Sequence, residues 1–169
     1  MYGTRDMPIE SLGVPKNSEW GPVLWEMLHG AAEKIGRTPI KSIADDQRRE
    51  MILVLRYVEV AMPCAMCRGH YKIWRTKNPI DKLPEDMEAF KKAVREWLFN
   101  LHQEVNDSRE LARVMTVGDL EDRYGSVNLK ETSAVFFGLM ERAVRLRVLE
   151  SEPLKRFNTH FTYLMRLLM

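Results

Sequence analysis

Apolar residues in this chain recur at steps of three and four, and nowhere does a run alternate with period two. A helix buries about one side chain per turn on a given face and a strand every second one, so this pattern predicts an all-α fold. From about Ser18 the inward stripe is Leu24, Leu28, Ala31 and Ile35, closed by the glycine and proline of "GRTP" at 36–39. A second helix is expected from Asp45 to Met62, with Met51, Val54, Leu55, Val58, Ala61 and Met62 inward and Pro63 as its breaker. The third starts at Pro63 or Cys64 and runs to about Lys77, where "KNPIDKLPED" reads as a loop.

A fourth helix spans about Glu85 to Asn106, with Phe90, Val94, Trp97, Leu101 and Val105 on one face. Thr116 and Asp119 have the spacing of a capping pair for a short helix that Gly125 closes. Two more amphipathic segments follow, at about 129–150 and 153–168. Val135, Leu139, Ala143 and Leu146 are the expected stripe of the first, and Leu154, Phe157, Phe161, Leu164 and Leu168 of the second. The result is a compact helical bundle with a C-terminal helical extension.

A length of 169 residues suits one domain with a substantial core. Lys and Arg number 26 against 24 Asp and Glu, a net charge of +2, with both signs interspersed. That balance gives no reason to expect nucleic acid or an anionic membrane as a partner. "MYGTRDMPIESLGVPK" lacks a basic start followed by an apolar run, and no stretch is long and apolar enough to span a bilayer. Neither a signal peptide nor a transmembrane segment is therefore expected.

"MPCAMCRGHYKIW" at 62–74 holds the only two cysteines, Cys64 and Cys67. On a helix opening at Cys64, residues 64, 67, 71 and 74 share a face, so the pair lies with Tyr71 and Trp74. One reading is a redox dithiol at a helix N-terminus, where unpaired N–H groups favour a thiolate and Pro63 costs nothing by lacking one. A zinc site would take Cys64, Cys67 and His70, with His29, His102 or His160 as the fourth ligand, but no second two-ligand knuckle exists. Covalent haem is disfavoured because Arg68 follows Cys67, and an inert core pair stays open on burial preference. A thioredoxin-like host would need strands around the motif, and none is legible. A dithiol in a helical bundle needs an electron acceptor that such a bundle can hold, and a flavin fits.

"WGPVLWEMLH" at 20–29 places Trp25 and His29 one turn apart, and "LHQEVN" at 101–106 does the same for His102 and Asn106. Together with the intervening C-x-x-C, the ordered set over residues 18–125 resembles the Erv/ALR family of FAD-linked sulfhydryl oxidases. Pro22 and "TKNP" at 76–79 are similar to the short versions found in large DNA viruses. The resemblance implies a four-helix bundle with a short fifth helix over 18–125, flanked by an arm at 1–17 and the extension at 126–169. It implies FAD at the mouth of the bundle, met by Gly21, Trp25 and His29 from the first helix and by His102, Val105 and Asn106 from the fourth. Arg109 or Arg113 is the candidate to neutralise the pyrophosphate, and Tyr124 the weaker candidate to line the cofactor. Trp25, Trp97 and His29 also admit a purely structural reading, and His160 reads as structural or exposed.

The implied reaction takes electrons from a substrate dithiol through Cys64 and Cys67 to FAD and then O2, forming H2O2, with Cys64 toward substrate and Cys67 beside the flavin. Cellular relatives carry an additional shuttle cysteine pair and often a bracing disulfide, for which no cysteines remain here. Substrate must then reach Cys64 directly, from a separate dithiol protein of, for example, the thioredoxin-like kind. A bracing disulfide typically contributes about 2–4 kcal/mol, and burial of Phe136, Phe137, Phe157 and Phe161 in the extension is the expected compensation. The resemblance further implies a homodimer through the first helices and, for a viral member, a place in the host cytoplasm or the virion. The rival from another class is a non-enzymatic helical adaptor with a Cys/His zinc site.

Overall fold

The computed structural model describes residues 13–113 and 115–169. Most of the arm expected at 1–17, namely residues 1–12, lies outside the described residues; Pro15 is buried and Asn17 already opens the first helix. Among the described residues there are seven α-helices and no strand: α1 Asn17–Lys34, α2 Lys41–Tyr57, α3 Ala65–Lys77, α4 Met87–Ser108, α5 Leu120–Tyr124, α6 Leu129–Arg145 and α7 Ser151–Leu167. None is long and apolar enough to cross a membrane.

The helix ends follow local chemistry. Asp86 accepts from the Ala89 N–H at 3.0 Å to start α4, and Asn128 accepts from Glu131 at 3.2 Å to start α6. Thr116 and Asp119 form the expected capping box, on a 3₁₀ turn at Val117–Asp119 that leads into α5. The second helix differs from expectation: α2 stops at Tyr57, and Val58–Ala61 continue as a 3₁₀ turn. Pro63 has no N–H for the Glu59 carbonyl, which instead accepts from Met62 at 3.2 Å, one residue earlier.

α1 is the central element, packed on α4 and α5 on one side and on α6 on another, while α7 covers α2. The expected stripes of α1, α2 and α4 all face this core, with Met51, Val54, Leu55, Phe90 and Val94 fully buried. Gly30 permits the close approach of α6, since a Cβ there would stand 3.1 Å from Leu129 Cδ2. Glu33, itself buried, pairs with Arg95 at 2.6 Å and ties α1 to α4.

The two C-terminal helices belong to the same core. Phe136, Phe157 and Phe161 are fully buried, with Phe136 and Phe157 meeting edge to face at 6.1 Å. Each such ring contributes about 1.5–3 kcal/mol on burial. Polar ties lock the register: Arg142 to Glu19 at 3.1 Å, Gln47 to the Leu167 carbonyl at 2.8 Å, and His160 Nδ1 to the buried Glu50 at 2.8 Å. The inward stripe of α6 corrects the expected one: it is Leu129, Ser133, Phe136, Met140 and Ala143, while Val135 is 56% exposed. Of the expected stripe Ala143 is fully buried and Leu139 packs half-buried against the core, while the larger Phe136 takes the inward place expected of Val135, which removes more apolar surface from water.

Candidate active site

Cys64 is the N-cap of α3 and Cys67 lies in its first turn, so the helix start brings the two Cα atoms to 5.2 Å, and the side chains are joined as a disulfide. The Cys67 N–H donates to Cys64 Sγ at 3.2 Å, one of the otherwise unpaired donors of a helix N-terminus. Behind the pair, Tyr71 is buried and donates its hydroxyl to the Leu55 carbonyl, and burial pushes that hydroxyl's pKa up. Trp74 and Trp97 pack edge to face at 6.0 Å, with Trp97 Nε1 donating to the Asn78 carbonyl at 3.0 Å. Cys64, Cys67, Tyr71 and Trp74 therefore share one face as the spacing predicts, and Trp97 is a core residue. The exposed His70 lies near the pair on the same helix.

Cys67, but not Cys64, opens into an apolar slot of about 170 Å³ between α1, α3 and α4, walled by Trp20, Leu24, Met62, Tyr71 and Leu101. A wider recess of about 740 Å³ adjoins it, lined by His102, Asn106, Arg123 and Tyr124. Slot and recess share Asn17, Gly21, Trp25, Val105 and Arg109 as a common wall.

The recess is built on a stack of rings. Trp25 lies parallel to His102 at 4.0 Å, His29 lies parallel to Tyr124 at 4.5 Å, and His29 Nε2 is 3.1 Å from His102 Nδ1. Burial lowers the His29 pKa to about 3, helped by His102 and Arg123, and burial with the charge of Arg123 lowers His102 to about 4. Both rings are neutral near pH 7, so one donates and the other accepts in the bond between them.

The arrangement fits a dinucleotide flavin. Gly21 sits at the junction of slot and recess with open space around any added Cβ, so a side chain there would intrude on the cleft. The buried Trp20 Nε1, on the slot wall, has no hydrogen-bond partner within the chain. An apolar slot against a sulfur suits the ring system, and a wider recess with stacked rings and two arginines suits adenine and phosphates.

Of the residues singled out from sequence, Gly21, Trp25, His102, Val105, Asn106, Arg109 and Tyr124 all line the cleft. His29 does not reach its surface; at 1% exposure it stands behind His102 and Tyr124 and fixes both. Arg113 lines neither part, because it is drawn into an exposed bidentate pair with Asp107. Arg123, which sits over the Tyr124 ring at 5.5 Å, lines the recess instead. Asn17 and Trp20 were also missed as site residues. Asn17 lies one turn before Gly21 and Trp20 beside it, so helical spacing from Gly21 was the available signal.

Among the described residues no three His, Cys, Asp or Glu side chains gather as a metal site. His29 and His102 are committed to each other, and His160 stacks on Tyr57 beside Glu50.

Comparison with known proteins follows the same lines. The model of the Erv1 / Alr family matches residues 22–124. An FAD-linked sulfhydryl oxidase from a tick isolate of African swine fever virus is 34% identical over 89 residues, 52% of this chain and 65% of its own length. Its namesake from a pig isolate of that virus is 31% identical over 88 residues, with the same shares. The chain thus spans 65% of the length of these curated relatives. No solved structure matches it significantly.

Proposed function

The chain belongs to the Erv1 / Alr family, whose model covers more than half of it, and from that premise we propose that it is an FAD-linked sulfhydryl oxidase making disulfides in protein dithiols. The observation that carries this reading is Cys67, a redox-capable sulfur opening into a cleft shaped for a flavin.

In the exchange, a substrate thiolate attacks Cys64 Sγ, a new S–S bond forms, and the Cys64–Cys67 bond breaks with its electron pair leaving on Cys67. The substrate's second thiolate then attacks its own sulfur in the mixed disulfide and releases Cys64. Two electrons have passed from substrate to the pair, and the substrate carries the disulfide. Gly21, Trp25, Val105 and Arg109 would hold FAD across the cleft, with His102, Asn106, Arg123 and Tyr124 around its nucleotide part. FAD bound there supplies the two-electron acceptor for the reduced pair and the outlet to O2, giving H2O2. The neutral imidazole pair adds no charge of its own to the recess wall and holds Trp25 and Tyr124 in its stacked rings.

With no shuttle cysteines in the chain, the partner is a separate dithiol protein, thioredoxin-like proteins being one candidate. The bundle at 18–125, with Asn17 at its threshold, carries the site, and the helices of 126–169 act as its brace. A homodimer would have to use surfaces other than the α1 and α2 faces that α6 and α7 cover within the chain. The viral relatives support the host cytoplasm or the virion as its place of action.

The test is an absorbance spectrum of purified protein followed by anaerobic dithiol. A yellow protein bleached by dithiothreitol, with peroxide formed on readmitting air, is expected, and Cys67→Ala should retain flavin while losing peroxide production. A colourless protein holding about one zinc per chain, on the four-ligand rule, would instead identify the adaptor reading.

A further inference from the structure

The two sulfurs of the pair are served unequally. Cys64 Sγ accepts the Cys67 backbone N–H at 3.2 Å at the start of a 13-residue helix, so the helix N-terminus favours negative charge on Cys64. Cys67 Sγ, the sulfur that faces the slot, has no backbone donor among the described residues. Its donor comes from another element. Asn17, half-buried in the first turn of α1, places its Nδ2 at 3.7 Å from Cys67 Sγ and 3.9 Å from Cys64 Sγ. The same residue lines both the slot and the recess, one turn before Gly21.

Toward a disulfide such an N–H is a weak contact; toward a thiolate it is charge-assisted and about twice as strong as a neutral bond. We propose that the Asn17 amide is the donor that receives the Cys67 thiolate at the moment substrate opens the disulfide, and that it keeps negative charge on the cleft-facing sulfur against the pull of the α3 N-terminus. The inference rests on the exchange described above, in which Cys64 is attacked. The electron pair of the broken S–S bond goes to Cys67 Sγ, the charge of the incoming thiolate is transferred to it, and no proton moves. A leaving thiol of lower pKa leaves faster, so the amide accelerates opening.

The test reads the thiol and not the oxidase. In full-length Cys64→Ala protein Cys67 is the sole thiol, and the pH dependence of its alkylation by iodoacetamide, followed by mass, yields its pKa. Adding Asn17→Ala should raise that pKa by about one unit, a roughly tenfold loss of thiolate at neutral pH. Asn17→Asp, which keeps the shape and puts a carboxylate where the donor stood, should raise it further. In a Cys67→Ala background the Cys64 pKa should move less on Asn17→Ala, since its backbone donor remains. Anaerobic opening of the disulfide by dithiothreitol should slow about threefold to fivefold in Asn17→Ala, less than the change in acidity, because the rate follows the leaving-group pKa only fractionally. The proposal is overturned by a Cys67 pKa that Asn17→Ala leaves in place, or by a Cys64 pKa that shifts as much as that of Cys67 on Asn17→Ala. Should Asn17→Ala fail to fold, Asn17→Leu, close in size with neither donor nor charge, carries the test. A chain that makes no peroxide would defeat the oxidase reading and leave these thiol measurements intact.

Discussion

α1 looks out on two very different surroundings. Toward the cysteine pair it turns Asn17, Gly21 and Trp25, half-buried side chains bordering open space, with Trp20 Nε1 left without a partner on the slot wall. Toward α6 it is sealed, Gly30 drawing Leu129 into contact and Glu19 held by Arg142. The first side gives up packing and hydrogen bonds to keep a cleft, and the second, together with α7 on α2, supplies the apolar burial that the cleft gives up. The contrast teaches that the C-terminal helices are part of the same structural unit as the site: they carry stability for a helix whose other face is kept available for chemistry.

That division can be broken most forcefully at Phe157. Truncation to alanine leaves a cavity in the seam between α6 and α7 and should cost about 3–5 kcal/mol. Urea unfolding followed by circular dichroism and by flavin absorbance should show one transition moving as a whole. Two separated transitions, with the cleft outlasting the C-terminal helices, would show the extension to be an independent body.

A smaller effect comes from acid. The fold holds His29 and His102 neutral, with pKa values of about 3 and about 4 against an ordinary value of 6.5. The unfolded chain therefore binds more protons below pH 6.5, and the stability these groups contribute is fully present above that pH and lost progressively as it falls toward about 4. Melting temperature should drop between about pH 6.5 and 4, and His29→Asn should flatten that drop. An unchanged slope in the variant would remove the imidazole pair as its source.

The smallest effect separates two arginines. Arg113→Ala should leave both flavin content and the unfolding midpoint within error, because Arg113 is spent on an exposed pair with Asp107. Arg123→Ala should lower flavin content, measured as the ratio of flavin to protein absorbance. The reverse ranking would return the phosphate role to Arg113.

Much of this was legible before any coordinates. The inward stripes of α1, α2 and α4, the capping box at Thr116 and the helix start at Cys64 depend on spacings within one or two turns, which a sequence displays directly. The common face of Cys64, Cys67, Tyr71 and Trp74 follows from the same geometry, as does the one-turn spacing of Trp25 and His29 and of His102 and Asn106 on their helices. Tertiary structure decided what those spacings leave free. Whether Arg109, Arg113 or Arg123 meets the cleft depends on which carboxylate or ring each long side chain finds across the fold. The stripe of α6 was ambiguous by one residue at its start until packing turned Phe136 inward and Val135 outward. Asn17 became part of the site only because α1 and α3 meet at their starts, bringing together residues 47 and 50 positions apart. Local order is written in periodicity, whereas a site assembled between helices depends on contacts that no single stretch of chain contains.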